Sequence, residues 1–371
     1  MSSATENTAD TKECPFCGES IKAVAIKCKH CGELMLATCR AWPHFSNRAT
    51  ARIVCRCPRP SDWEARCERG PSMIRIGIVD FDTSHVVAFT QRLNQVDIAP
   101  EHWVESDCRV TMGWPGTSAM MPERIPGFLE KVSGYGVQIV GRPEDLLGNI
   151  DAVLIESQQG SRHEERARPF LEAGLPTFVD KPFAGNVAQA DAMIALAEKH
   201  GVPLMSASAL RYAVEVQEAL RLREQHGPIL SADVWTACAL HEGNPGLLHY
   251  GVHGVEMLYA LMGTGCREVR TIFQPGGEVV VGVWEDGRIG TVRGIRDGQY
   301  GFGCAVHYEK GHYALPVTSG TYYTELLKRI GDLFTTGNPP IPYAELREVM
   351  AFMDAALVSR EQQGAPIALS A

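Results

Sequence analysis

From Met73 onward the chain alternates short apolar runs with stretches of helical periodicity. The first run, Ile74 to Val79, breaks into a polar turn and then a helical pattern. CRVTMGW (108–114), DAVLIE (151–156), PTFVD (176–180) and VPLMSA (202–207) follow at intervals that leave room for helices. Continuous apolar runs of this length are strands buried on both faces, and right-handed crossovers between them predict a doubly wound parallel sheet. Between two of them, Val187, Ala190, Ile194 and Ala197 mark one helical face. Asn186 with Gln189 predicts its N-cap and Gly201 its end. Residues 73–205 are therefore expected to form one Rossmann-like α/β domain that binds a dinucleotide.

The pattern changes after residue 205. LSADVWTA, EVRTIFQ, VVVGVWED, RIGTVRGI, GFGCAVHY and HYALPV follow one another with short turns, and Asp286-Gly287 is a hairpin signal. Helical patterns occur near Glu215–Glu224, at Gly246–Met262 and at Tyr343–Arg360, the last placing Leu346, Val349, Met350, Met353 and Leu357 on one face. Residues 206–371 are expected to be an α+β domain with a mostly antiparallel open sheet. A functional cleft is then expected between the two domains.

Charge and cysteine content change the picture at the N-terminus. Against 35 Lys and Arg stand 44 Asp and Glu, a net charge of -9, which argues against a general nucleic-acid or membrane-surface role. The opening MSSATENTADTKE has no apolar core of a signal or membrane span, so a cytoplasmic protein is expected. Eight of the 12 cysteines precede residue 70, and four fall in CPFCG (Cys14, Cys17) and CKHCG (Cys28, Cys31). Two C-x2-C knuckles bring four thiolates to one tetrahedral Zn²⁺, and with every position taken by sulfur the metal is structural. Residues 1–36 thus resemble a zinc ribbon. Residues 37–72 keep no steady apolar period and are expected to be a disordered linker.

Candidate chemistry lies in three stretches: GIVDFDTSH after the first strand, VDKPFA (179–184), and GLLHYGVHGVEMLYALMG (246–263). Together with DAVLIESQQGSRHEERARPFLEAG and LMSASALRY they resemble the glucose-fructose oxidoreductase, inositol dehydrogenase and MocA family, from Met73 almost to the C-terminus. The resemblance implies hydride transfer between NAD or NADP and a sugar- or polyol-like secondary alcohol. It implies Lys181 and His253 as the catalytic pair, Lys181 holding the substrate oxygen and His253 accepting its proton. Ser157 and Gln158 would flank the nicotinamide half together with Lys181. Association of copies through the C-terminal sheet is expected.

The chain departs from that pattern in its phosphate loop. Asp80 and Asp82 stand where glycines allow close approach of a pyrophosphate. One resolution turns the carboxylates away, Asp82 capping the helix while Thr83, Ser84 and the helix amides hold phosphate. The other loses the cofactor, leaving a non-catalytic ligand-binding or regulatory protein of the same fold. Asp180 replaces the Glu of Glu-Lys-Pro, Glu256 replaces a second-motif Asp, and His249 with His253 and Glu256 forms an alternative metal set. Arg211 and Tyr250 are further candidates to reach the cleft.

Overall fold

This computed structural model describes residues 73–298 and 301–369, together with the backbone of two short upstream strands, β1 (Thr11–Glu13) and β2 (Ser20–Lys22), which pair antiparallel. The four ribbon cysteines and the 37–72 segment lie outside the described residues.

The first domain runs β3 (Ile74–Val79), α1 (His85–Asn94), β4 (Cys108–Trp114), α2 (Ile125–Gly134), β5 (Gln138–Ile139), β6 (Ala152–Ile155), α3 (His163–Glu172), β7 (Thr177–Val179), α4 (Val187–His200) and β8 (Leu204–Ser206). Its strands form one parallel sheet in the order β5-β4-β3-β6-β7-β8. The chain winds outward from β3 in one direction, then restarts at β6 in the other, so the topological switch point lies between β3 and β6. All four residues of β6 and all three of β7 and β8 are buried, which explains their unbroken apolar runs. The predicted caps of α4 are present: Asn186 Oδ1 accepts from Gln189 N at 3.0 Å, and Gly201 closes the helix at φ 63°.

The second domain adds α5 (Val214–Arg221), α6 (Arg223–His226), β9 (Ile229–Ala237), α7 (Val252–Met262), β10 (Cys266–Gln274), β11 (Gly277–Trp284), β12 (Ile289–Ile295), β13 (Gly303–Tyr308), β14 (Gly311–Pro316), α8 (Tyr322–Thr336), α9 (Tyr343–Glu361) and β15 (Ile367–Ala368). The sheet order is β14-β13-β9-β12-β11-β10-β15. It is antiparallel except where β9 runs parallel to β12, a pairing that the succession of short turns does not announce. Alternate residues of β11 are buried, the mark of a sheet covered on one face. Helices α7 and α9 cover that face, α7 over β9 and β12, α9 over β10. Asp286-Gly287 makes the predicted β11–β12 turn, with Gly287 at φ 85°.

Helix α8 was not among the predicted elements. It buries Leu326, Leu327, Ile330, Leu333 and Phe334 on one stripe, packs on α1 and the 209–212 turn, and brings Tyr322 and Tyr323 to the mouth of the cleft. An aromatic, β-branched start directly after a run of strands obscures such a helix, because those residues fit a strand equally well.

Candidate active site

The β3–α1 loop settles how two aspartates stand at a phosphate-binding turn. Asp80 N donates to Trp114 O at 3.0 Å and Phe81 N to Pro115 O at 2.9 Å, so the loop continues beside the end of β4. Asp80 takes a left-handed backbone, φ 63°, ordinarily left to glycine. Its carboxylate accepts from the Ser157 hydroxyl and, at 2.9 Å, from Arg166 Nε, whose guanidinium lies 4.7 Å over the Trp114 ring. Asp82 Oδ1 accepts from Gln158 N at 2.8 Å. Burial pushes the Asp82 carboxyl above its ordinary range, with Asp80 adding to the rise and hydrogen bonds from Ser118 and the Gln158 N–H opposing it.

Both acids therefore turn inward and bridge the β3 loop to the β6 loop across the switch point. The expected cap is corrected by this geometry. Ser84 is the N-cap of α1 and has no side-chain cap bond, while Thr83 Oγ1 accepts from His85 N at 3.0 Å. Asp82 fastens the neighbouring loop instead. Ser157 is likewise committed to Asp80, and Gln158 is the member of the pair that faces the cleft. Asn244 of the second domain pins the same loop, donating to Gln158 O at 2.8 Å and accepting from Gly160 N at 3.0 Å. His163 has both ring nitrogens against backbone carbonyls, Ser157 O at 2.6 Å and Phe183 O at 3.2 Å, and so braces the loop from below.

Gly116 makes room for this arrangement. It sits at φ 64°, and a Cβ there would come within 1.6 Å of Asp80 Oδ1. Gly116→Ala is expected to displace the Asp80 carboxylate and cost about 2 kcal/mol in urea-denaturation stability, because both the clash and the left-handed backbone penalise alanine.

A cavity of about 220 Å³ opens between the domains, lined by Thr83, Ser84, Gln158, Lys181, Tyr250 and His253 among others. Lys181 follows β7, where the carboxyl edge of the sheet delivers it, and its backbone N–H donates to Asp180 Oδ1 at 2.7 Å. His253 comes from the first turn of α7, and its Nδ1 is 2.6 Å from Ser208 Oγ, which leaves Nε2 for a ligand. Burial, with Lys181 and His85 reinforcing it, holds the His253 pKa well below 6.5, so the ring is neutral at physiological pH. Tyr250, Tyr322 and Tyr323 supply hydroxyls, and Arg124 joins Lys181 as a positive charge. Neither Asp nor Glu is among the described residues that line this cavity.

The charge distribution fits a dinucleotide in one respect. The cleft side presents cations and hydroxyls beside the start of α1, whose first turn carries no acidic residue, and Arg166 neutralises Asp80 from inside. The close backbone approach that glycine gives is absent, so the anion would be held mainly by side-chain donors and the helix end.

The G-x-G-x-x-G spacing, started at Asp80, places its third position at His85. There an imidazole stacks on Phe89 at 4.8 Å and meets the edge of Tyr323 at 5.0 Å. Below it lie Glu156 and Asp180, both fully buried. Burial raises the Glu156 carboxyl well above its usual range, and the Asp180 charge adds to that. Asp180 goes the other way: burial opposes ionisation, but His85 and Lys181 outweigh it and hold the carboxyl far below the usual range. Glu156, with Ser208 and Arg166, is the part of the site that sequence reasoning missed, and Asp180 was read only as a replacement in the Lys181 motif.

Two expectations are corrected in the second domain. Arg211 does not reach the cleft; it is buried, with Nε 2.7 Å from Glu256 and Nη1 2.6 Å from Glu345. Glu256 is thereby removed from the alternative His249–His253–Glu256 metal set. His249 sits by His241, ring centroids 5.4 Å apart, and burial, with His241 and Lys181 contributing, pushes it down to about 4.

Residues 121–208 match the family described as an oxidoreductase family with an NAD-binding Rossmann fold. A myo-inositol dehydrogenase of Streptomyces leeuwenhoekii, Hyg17, is 41% identical over 54 residues, 15% of this chain and 16% of that protein. The chain thus aligns with about a sixth of that curated relative. Among solved structures, GenD2 of gentamicin A biosynthesis in complex with NAD superposes with TM-score 0.68 at 17% identity, covering 81% of this chain and 97% of that one. Scyllo-inositol dehydrogenase of Lactobacillus casei with NAD(H) and scyllo-inositol gives 0.67 at 15% identity, covering 81% and 100%. The fold is that of NAD-binding oxidoreductases. No helix among the described residues is long and apolar enough to cross a membrane.

Proposed function

We propose, taking the oxidoreductase match of residues 121–208 as premise, that this protein is an NAD(P)-dependent dehydrogenase oxidising a secondary alcohol on a polyol- or sugar-like substrate. The observation that carries the reading is the pairing of Lys181 with a neutral His253 on one cavity beside the start of α1. Bound NAD or NADP would supply the hydride acceptor. Thr83, Ser84, Gln158 and Lys181 are the residues placed to hold it, Thr83 and Ser84 at the helix end. The Lys181 ammonium donates a hydrogen bond to the substrate oxygen and stabilises its negative charge. His253 Nε2 takes the hydroxyl proton, which requires Nδ1–H to donate to Ser208 Oγ and so fixes the tautomer. Tyrosine hydroxyls and Arg124 around the cavity suit a substrate with several hydroxyls, in keeping with inositol dehydrogenases among the structural neighbours.

Titrating the protein with NADH and NADPH while following nicotinamide fluorescence, then assaying an inositol and sugar panel, tests the reading. Unchanged fluorescence at millimolar coenzyme ends it. A second reading, a ligand-binding protein without turnover, is favoured by the Asp80 and Asp82 bridges across the switch point, and would leave polyol binding intact without coenzyme binding.

The acid limb of the pH profile is diagnostic. Oxidation needs His253 unprotonated, and a lowered pKa extends that form downward, so kcat is expected to stay level from pH 8 to 6.5 and fall only below. Ser208→Ala frees the ring, and kcat is expected to drop roughly tenfold or more with KM little changed. The Cys14, Cys17, Cys28 and Cys31 spacing supports a structural Zn²⁺ apart from turnover. Half-exposed Leu230 and Ile289 and exposed Ile272 on the sheet support its use for self-association.

A further inference from the structure

We propose that His85, Glu156 and Asp180 form a binding site for a divalent transition-metal cation beneath the coenzyme loop. Among the described residues this is the one place where three His, Cys, Asp or Glu ligand atoms lie within 4.8 Å of one another. An ion with ligand bonds of about 2.1 Å spaces its donors by roughly 3 to 4.2 Å. His85 Nδ1 is 2.9 Å from Asp180 Oδ2 and 3.8 Å from Glu156 Oε2. The side chains are 6% exposed for His85 and 0% for both acids.

The second observation is the state of the donor atoms. Both carboxylate oxygens of the fully buried Glu156 have no hydrogen-bond partner, while His85 Nδ1 and Asp180 Oδ2 face each other as an ion pair. Asp180 Oδ1 is satisfied by the Lys181 N–H, which leaves Oδ2 directed at the cluster. Buried polar atoms are almost always paired, and a fully buried carboxylate with neither oxygen paired, set beside that ion pair, calls for an electrophile there. One imidazole nitrogen with two carboxylates suits Mn²⁺, Fe²⁺ or Zn²⁺; the nitrogen disfavours Ca²⁺ and Mg²⁺, and the lack of sulfur disfavours Cu⁺. Two ionised carboxylates neutralise the ion's charge, offsetting the burial that raises the Glu156 carboxyl above its usual range.

The fold builds the site from three neighbouring strands. His85 opens the helix after β3, Glu156 follows β6 and Asp180 follows β7, so an ion would tie three adjacent strand ends beneath Lys181. The His85 ring is held by Phe89 and Tyr323 and also lines the cavity, giving the ion its path in from the cleft. The site stands independently of the dehydrogenase reading, since it is assembled without coenzyme or substrate.

The test uses the full chain, freed of metal by chelator and free of coenzyme, titrated with Mn²⁺ and read by the loss of free-ion electron paramagnetic resonance signal. Mn²⁺ is the probe because the N-terminal thiolates prefer softer ions. Wild type is expected to hold one Mn²⁺ more per chain than Glu156→Gln, and to gain several degrees in melting temperature at a hundredfold excess over its dissociation constant, which the variant does not. Glutamine is nearly isosteric and uncharged, so the metal-free variant is expected to melt at or above wild type; should it fail to fold, Asp180→Asn takes its place. Equal binding by wild type and variant overturns the proposal. So does the absence of a variant-sensitive site for Mn²⁺, Fe²⁺ and Zn²⁺ alike.

Discussion

Lys181→Met is expected to lower kcat/KM for alcohol oxidation by about three orders of magnitude, some 4 kcal/mol of transition-state stabilisation, measured as reduced-coenzyme formation under initial-rate conditions. Methionine keeps the length and apolar stem of lysine while removing the ammonium that bears on the developing oxyanion. The loss should fall mainly on kcat, because the charge on oxygen grows only as the proton leaves. Folding is expected to survive, since the Lys181 charge acts on Glu156 and Asp180 through space and the Lys181 backbone N–H bond to Asp180 is kept in the variant. The charge has a second signature. Lys181 helps hold the His253 pKa down, so its removal should move the acid limb of the residual activity toward higher pH. A variant with unchanged rate, or with the acid limb in place, would remove Lys181 from the chemistry.

The parts of this site that were legible in the sequence are those set by backbone pattern. Apolar runs gave the strands of the Rossmann sheet, and the end of one of them put Lys181 at the carboxyl edge. The helix at 246–262 put His253 on the second wall, although it begins as a short turn at Gly246–Leu248 and becomes α-helical only from Val252. Partnership between distant side chains was not legible. Nothing in DFDTSH says that Asp82 will cap the loop at Gln158 instead of its own helix, or that Asp80 will find Arg166 across 86 residues. His85, Glu156 and Asp180 are each an ordinary polar residue at the end of an element, and their convergence depends on β3, β6 and β7 being neighbours. Arg211 looked like a cleft residue, and Glu256, at a motif position, looked like a carboxylate open to a metal. Their burial against each other reflects helix packing, which local sequence does not encode.

That buried pairing carries the largest stability effect expected. Arg211 joins the turn after β8 to Glu256 on α7 and Glu345 on α9, and burial of its guanidinium is outweighed by the two carboxylates, which raise its pKa further. Arg211→Leu would leave both acids without their cation in a dry setting, at an expected cost of about 3–5 kcal/mol in urea denaturation near neutral pH. The pH dependence fixes the cause. Burial already raises Glu256 in the native state, and loss of Arg211 would raise it more. A carboxyl with a raised native pKa contributes its full stability below its unfolded value and loses it as pH climbs, so the deficit should be greatest near pH 7.5 and shrink toward pH 4.5. Replacing both Arg211 and Glu256 with leucine should recover part of the loss, because an apolar pair strands fewer charges. The same helix carries His253 one turn before Glu256, so the single variant should also blunt kcat, and the double variant should restore it only as far as α7 returns to its seat. A deficit that does not change with pH would assign the effect to lost packing of the arginine stem instead of the stranded acids.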